Sequence, residues 1–185
     1  KDRNFIINPG RTGFYRVQYD DSTLENLSLL IDEKIIDYVD RWSLQNDYFA
    51  QVVSGKKNVH SYLDFTSAYY DEDNYISSLS LAHNLYSLYT ISHKEKFSDE
   101  LRQHAINFLG TIIDRLGWDK KRNEPHTNAL LRSFAIVGLG KLGDKQVITE
   151  AESRFNKFLK TPNSLPADLQ ESVFFMVFDF LRVSR

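Results

Sequence analysis

The 185-residue sequence contains no cysteine and has a formal net charge of only −2 at pH 7. Without cysteine the chain forms neither disulfides nor thiolate metal sites, and such a composition is typical of proteins from a reducing compartment. We therefore predict a cytoplasmic location. The basic residues are scattered among acidic ones, so charge gives no electrostatic basis for binding nucleic acid.

Targeting and membrane segments are also missing. The sequence has no run of about 18 uncharged apolar residues, so we predict no transmembrane helix and no membrane partner. The first ten residues, KDRNFIINPG, do not resemble a signal peptide. Because the sequence begins with Lys1 rather than Met, we expect it to be a piece excised from a longer protein.

The short motifs of common catalytic sites are absent as well. The sequence has no HExxH zinc signature, no GxSxG, no P-loop and no GxGxxG. Glu100 and His104 share a predicted helix face and could supply two metal ligands, but an exposed polar pair is the simpler interpretation. Gly138 and Gly140 lie inside a helical pattern, where close helix packing explains them best. We therefore predict no catalytic residue and no metal site in this chain.

Two β-like segments open the chain. Residues 5–7 form a short apolar run that a turn ends, and residues 14–19 alternate between two faces. Two strands alone are marginally stable in water, so we expect them to need a sheet that lies outside this chain. We therefore predict that residues 1–20 are the end of a neighbouring β domain.

From residue 21 to residue 185 the hydrophobic period is helical. Capping and stop signals divide this part into eight predicted helices, and the short loops between them imply antiparallel neighbours. A two-helix spacing of roughly 30 to 45 residues is typical of helical-pair solenoids. The last helix is apolar on all sides and needs further cover, so we expect a truncated domain. The predicted helices begin at or near residues 22, 39, 58, 75, 98, 127, 144 and 166.

The second predicted helix, residues 39–54, carries charges among its apolar positions. Asp40, Arg41 and Asp47 are the residues concerned. An arginine flanked by acids beside an apolar seam suggests a fixed ion-pair network, and such networks often join two domains. A solvated polar face is the alternative. We therefore name these three residues as candidates for an interdomain contact.

A series of short motifs runs in one order through nearly the whole chain. They are GFYRVQYD at 13–20, VDRWSLQNDYFAQVVSG at 39–55, EDNY at 72–75, RLGWD at 115–119, H-x-x-x-LLR at 126–132, LGKLG at 139–143 and PADL at 166–169. Together they resemble the C-terminal helical domain of M1-type zinc aminopeptidases, with the closest likeness to the puromycin-sensitive branch. The resemblance is specific because it rests on several motifs that occur in the same order, rather than on one short motif.

The resemblance implies a fold and a role. The fold is mainly α, an irregular α-solenoid of antiparallel helix pairs of the HEAT or armadillo type, preceded by a short β-strand pair from a β-sandwich domain. The parent enzyme would remove N-terminal residues from peptides with a zinc-activated water, and its zinc ligands would lie upstream. This chain would be inactive alone; it would enclose the substrate chamber and gate access to it. Its partners would be the catalytic and β domains of the same polypeptide and the peptide substrate.

Two residues of the sixth predicted helix are then candidates for lining that chamber. Arg132 could bind a peptide carboxylate through two hydrogen bonds, and His126 opens the helix. The alternatives are an ion pair between Arg132 and an acid on a neighbouring helix, and local capping or packing by His126.

Two other functions stay open. A free-standing helical-repeat scaffold that binds a protein partner would need no missing sheet, and its gene would start near Lys1. An independent metal enzyme that uses the scattered histidines is the third hypothesis.

Overall fold

A computed structural model describes the backbone of residues 5–183 and the side chains of residues 5–179. Within that range the chain is helical and has no β-strand, which confirms a mainly α fold. Short 3-10 helices cover Pro9–Arg11, Ser67–Tyr69 and Pro162–Ser164. The α-helices are α1 (Asp21–Asp32), α2 (Tyr38–Val53), α3 (Val59–Thr66), α4 (Tyr75–Ile91), α5 (Ser98–Leu116), α6 (His126–Lys141), α7 (Lys145–Lys160) and α8 (Ala167–Val183). None of these described helices is both long and apolar enough to cross a bilayer.

Most helix starts follow from their capping residues. The side chains of Asn58 and Asp144 accept backbone N–H groups at the starts of α3 and α7, as predicted. The first helix differs, because Asp20 rather than Ser22 is its N-cap and accepts the N–H of Thr23 at 2.7 Å. A carboxylate one residue before the helix satisfies that N–H group and also interacts favourably with the positive end of the helix dipole. The predicted capping box at Ser22 is therefore wrong.

The helices belong to two compact units, and the division falls inside α5 between His104 and Ala105. The first unit contains α1 to α4 and the second contains α6 to α8. Each unit has fully or almost fully buried apolar side chains, each of which stabilises the fold by about 1.5–3 kcal/mol. These buried residues include Leu27, Tyr62, Tyr69, Leu81 and Leu85 in the first unit and Phe108, Ile112, Leu131, Ile136 and Val173 in the second. The solenoid arrangement and the domain boundary at residue 20 stay predictions.

The N-terminal segment, defined here as residues 5–20, does not contain the predicted pair of strands. Its backbone is irregular apart from the 3-10 turn at Pro9–Arg11. Side chains replace strand pairing: the N–H of Ile7 donates to the Tyr19 hydroxyl at 2.8 Å, and Val17 bonds to side chains of α2, as described below. The described residues thus show no strand here. Pairing with a sheet outside this chain and the origin of residues 1–20 in a β-sandwich domain stay predictions.

The two glycines of α6 pack closely against other helices of the second unit. A Cβ atom at Gly138 would lie 2.9 Å from Cδ1 of Leu109, on α5. A Cβ atom at Gly140 would overlap the side chain of Met176, on α8. Because real Cβ atoms do not approach other atoms so closely, a larger residue at either position would force Leu109 or Met176 to shift. The predicted role of this GxG in helix packing is confirmed.

His104 is buried in the first unit, with 9% of its surface exposed. Its Nε2 lies 3.0 Å from Oγ1 of Thr66, and its Nδ1 lies 3.0 Å from the hydroxyl of Tyr70. Glu100 instead pairs with His60 at 3.0 Å, so the expected exposed pair of Glu100 and His104 is wrong. Burial lowers the pKa of His104 to about 4, which keeps the imidazole neutral at pH 7.

We expect the stability of the chain to fall as the pH drops through the range from about 6.5 to about 4. The unfolded chain binds a proton at His104 near its ordinary pKa of 6.5, whereas the folded chain binds it only near 4. Stability that is fully present above pH 6.5 is therefore lost on acidification, by about 2 kcal/mol at pH 5. Urea unfolding of the wild type and of His104→Gln, at pH values of about 7.5 and 5, measures this contribution. An equal pH dependence in the two proteins would contradict it.

Candidate functional site

The carboxylate of Asp47, on α2, joins that helix to the N-terminal segment. Its side chain is only 5% exposed. Its Oδ2 accepts the backbone N–H of Val17 at 2.9 Å. Its Oδ1 lies 3.2 Å from Nη1 of Arg16 and 3.3 Å from Nη1 of Arg11. These donors compensate a buried charge that would otherwise cost several kcal/mol to remove from water.

Other side chains of α2 extend this contact. The amide of Gln51 donates to the carbonyl oxygen of Val17 at 2.9 Å, so both backbone groups of Val17 bond to α2 rather than to a second strand. Arg11 donates to the hydroxyl of Ser43 at 2.8 Å, and its guanidinium lies 4.9 Å from the ring centroid of Trp42. Stacking on an aromatic ring adds a favourable cation–π interaction. The segment is therefore held at several points along one helix.

Asp40 holds the turn of the N-terminal segment. It is 8% exposed, and its Oδ1 accepts the backbone N–H of Gly10 at 2.6 Å. The turn contains left-handed residues, with φ of 66° at Gly10 and 62° at Asn8, a conformation that glycine and asparagine adopt at low cost. Two helical turns separate Asp40 from Asp47. The two carboxylates therefore lie on the same face of α2 and bind two different parts of the segment.

Arg41 makes a separate set of contacts. Its Nε and Nη2 donate to the two carboxylate oxygens of Glu72 at 2.6 and 2.7 Å, and its Nη1 donates to the carbonyl oxygen of Ile36 at 2.7 Å. The hydrogen bonds that Arg41 donates to Glu72 raise the pKa of Arg41. Asp40, Arg41 and Asp47 thus bind different partners, and their role in an interdomain contact stays a prediction. Each helical residue is turned by about 100° from the one before it, so Arg41 points about 100° away from Asp40 and about 120° away from Asp47 and shares the face of neither.

Arg132 is fully buried in the second unit, and it caps the end of α5. Its Nη1 and Nη2 donate to the two oxygens of Glu124 at 2.9 and 2.7 Å, and its Nε donates to the carbonyl oxygen of Gly117 at 2.7 Å. A further bond reaches the carbonyl of Leu116 at 3.4 Å. Arg132 lowers the pKa of Glu124 through these bonds. The arginine thus pairs with an acid, but the acid lies in the loop before α6 rather than on a neighbouring helix.

His126 lies 6 residues before Arg132 on α6, and this spacing places the two residues on different faces of the helix. It is exposed as the first residue of α6, one position earlier than the predicted start at Thr127 or Asn128. The N-cap residue is Pro125, whose side chain makes no capping hydrogen bond. The structure therefore separates the two chamber candidates into a buried arginine and an exposed histidine. Their roles in lining a chamber stay predictions.

The described side chains do not fit a zinc ion. Among residues 5–179, no group of three or more His, Asp or Glu side chains is arranged to hold a metal. Catalytic zinc takes three protein ligands and a water. No chemical step of a metal site is therefore assigned to these residues.

Comparison with known proteins gives matches over nearly the whole chain. The family model described as ERAP1-like C-terminal domain matches residues 4–179. Aminopeptidase M1-A of Oryza sativa subsp. japonica is 32% identical over 177 residues, which cover 91% of this chain and 20% of that protein. Aminopeptidase M1 of Arabidopsis thaliana is 30% identical over 176 residues, with coverage of 92% and 20%. Glutamyl aminopeptidase of Homo sapiens is 27% identical over 171 residues, with coverage of 91% and 18%.

These matches confirm the resemblance to M1 aminopeptidases that the ordered motifs indicated. The chain spans about a fifth of the length of these curated relatives, and the matched part is a C-terminal domain rather than the catalytic one. The family model covers all but a few residues at each end of the chain. The chain therefore belongs to the ERAP1-like C-terminal domain family of M1 aminopeptidases.

Proposed function

We propose that this chain is the non-catalytic C-terminal helical portion of a zinc-dependent aminopeptidase that removes N-terminal residues from peptides. The observation that carries the proposal is the match over about a fifth of several proteins named aminopeptidases. In the parent enzyme, zinc would activate the attacking water, and residues outside this chain would hold it. A cytoplasmic location remains a prediction from composition.

In this proposal the helices enclose the substrate chamber and gate access to it. A helical wall of this kind would exclude water and large substrates from the reacting bond, as lids and closing domains do in other enzymes. The partners of the chain are then the catalytic and β domains of the same polypeptide, together with the peptide substrate.

The junction with those domains would lie at the N-terminal segment and α2. Asp40 and Asp47 attach the segment to the helix through backbone N–H groups. Arg41 attaches α2 to the loop before α4 through Glu72. Such bonds would let a neighbouring domain that holds the segment also hold the helices. We therefore retain all three residues as proposed junction residues, with Arg41 acting by positioning α2.

Exposed aromatic groups beside this junction support the proposal. Phe14 is fully exposed and Tyr15 is 54% exposed. Together with Val39 and Trp42 they help to line an open cavity of about 670 Å³. Large apolar side chains grouped at a surface are typical of protein contacts, and here a neighbouring domain of the parent enzyme would cover them.

The two chamber candidates receive different proposed roles. Arg132 is fully buried and bonded to Glu124, Gly117 and Leu116, so it would act by fixing the loop between α5 and α6. His126 is exposed directly after that loop, where its imidazole would be able to contact a peptide.

The purified 185-residue chain should contain no stoichiometric zinc and release no amino acids from peptides. The longer polypeptide that includes this chain should contain stoichiometric zinc and should release amino acids from peptides, because the zinc ligands would lie outside this chain. Metal analysis and amino-acid release assays on both proteins test this, with far-ultraviolet circular dichroism as the control that the short chain is folded. Stoichiometric zinc in the folded short chain, or a longer polypeptide without zinc, would contradict the proposal.

Replacing Asp47 with alanine should loosen the N-terminal segment from α2. The change removes the acceptor for the Val17 N–H and the partner of Arg11 and Arg16. Because hydrogen bonds to charged groups contribute about 1.5–3 kcal/mol, we expect the Val17 amide to exchange with solvent at least tenfold faster. Hydrogen exchange followed by NMR measures this change. The matched control is Glu25→Ala on the exposed side of α1, and equal exchange in the two variants would rule out the role of Asp47.

A further inference from the structure

A groove in the second unit runs between the C-terminal half of α5 and the start of α7. We propose that it is the docking site for a short cationic segment of a partner protein, in which one Lys or Arg lies between apolar residues. The groove has a volume of about 770 Å³, within the range of about 300–1,000 Å³ that is typical of ligand pockets. This inference does not depend on the proposed aminopeptidase function.

The floor and one wall of the groove are apolar. Ile106 and Ile113 of α5 line it together with Val147 of α7. Trp118, in the loop after α5, forms part of the wall, and the guanidinium of Arg154 lies 5.0 Å from its ring centroid. This stack holds the indole in place. An apolar segment or the methylene stem of a long basic side chain would pack on this surface.

The rim of the groove is acidic. Asp114, Asp144 and Glu150 line it, and none of the described lining residues is a Lys, Arg or His. Arg154 lies nearby, but it is shared between Glu150 at 2.7 Å and Asp119 at 2.7 and 2.9 Å. Arg154, Glu150 and Asp119 together therefore carry a net charge of about −1. A cleft with charges of one sign and apolar walls concentrates its field on an approaching ligand, which here favours a cation.

Gly110 leaves open space where it lines the groove. It lies inside α5 and lines the groove, and a Cβ atom built on it would meet nothing within 4 Å. Glycine in a helix interior costs about 0.5–1 kcal/mol relative to alanine. Gly138 and Gly140 offset that cost by close packing, whereas no packing among the described residues offsets it at Gly110. The missing side chain leaves space for a partner to approach the helix closely.

Fluorescence of Trp118 reports directly on the groove. The sequence has two tryptophans, so Trp42→Phe, a change in the first unit, leaves Trp118 as the single fluorescent reporter. The probes are three end-blocked pentapeptides with lysine, norleucine or glutamate between two leucines. We expect the lysine peptide to bind about two- to fivefold tighter than the norleucine peptide, the effect of one partly exposed charge pair, and the glutamate peptide to bind most weakly. The difference should shrink at high salt.

Two substitutions separate the groove from nonspecific attraction. Gly110→Leu should fill the floor of the groove and weaken binding of the lysine peptide by roughly tenfold or more. It should not lower thermal stability, because leucine is the better helix former. Asp114→Asn should weaken binding of the lysine peptide about two- to fivefold and leave binding of the norleucine peptide unchanged. Glu152 is an exposed acid on α7 outside the groove. Glu152→Gln is therefore the matched control and should change the binding of neither peptide.

Several results would overturn the proposal. They are equal binding of the three peptides, unchanged binding in a folded Gly110→Leu variant, or no binding of the lysine peptide. Loss of binding in a longer form of the same polypeptide would also overturn it, because the occupant would then be the chain itself rather than a partner.

Discussion

The buried carboxylate of Asp47 is the contact on which the first unit depends. An ionised side chain that is 5% exposed is tolerated only when donors surround it. Those donors come from Val17, Arg16 and Arg11 of the N-terminal segment. Conversely, the irregular backbone of that segment needs partners, and α2 supplies them. The charged residues of α2 thus have a structural cause, since they replace the strand pairing that the segment lacks.

A second arrangement recurs in both units. A buried arginine on a helix binds a glutamate through two hydrogen bonds, and that glutamate lies just before the start of a helix, which is a different helix for Arg41 and the arginine's own helix for Arg132. Arg41 and Glu72 do this before α4, and Arg132 and Glu124 do it before α6. Each arginine also binds a carbonyl that follows an earlier helix, at Ile36 after α1 and at Gly117 after α5. Each pair therefore ties the end of one helix to the start of another.

A buried ion pair of this kind stabilises the fold only when both partners are present. Removal of one partner from a buried pair leaves an unpaired charge and costs about 3–5 kcal/mol, so loops held in this way keep a defined conformation. In the second unit, this fixes the loop that places Trp118 in the groove and His126 at the surface. The same bonds would make the helical domain stiff enough to act as a wall in the proposed parent enzyme.

Local signals were sufficient to predict the helices but not their partners. Capping residues such as Asn58 and Asp144 act within one turn, so sequence alone locates helix starts to within a residue or two. The strand at residues 5–7 was predicted from a short apolar run and the strand at residues 14–19 from alternation. Neither pattern reveals that α2 side chains bind the segment's backbone at Gly10 and Val17. Asp40, Arg41 and Asp47 were singled out by their position among apolar residues, but the pattern left a solvated polar face open, and the partner of Arg41 is 31 residues away. Glu72 and Glu124 were missed as partners, although the EDNY motif contains Glu72.

A double-mutant cycle between Arg11 and Asp47 tests the central contact most directly. Arg11→Met keeps much of the side-chain volume, and Asp47→Asn removes the charge. Urea unfolding of the wild type, both single variants and the double variant gives the coupling free energy between the two side chains. We expect a favourable coupling of about 1 kcal/mol, since these groups belong to one network of contacts. Additive effects, with coupling below about 0.3 kcal/mol, would show that this ion pair does not hold the N-terminal segment to α2.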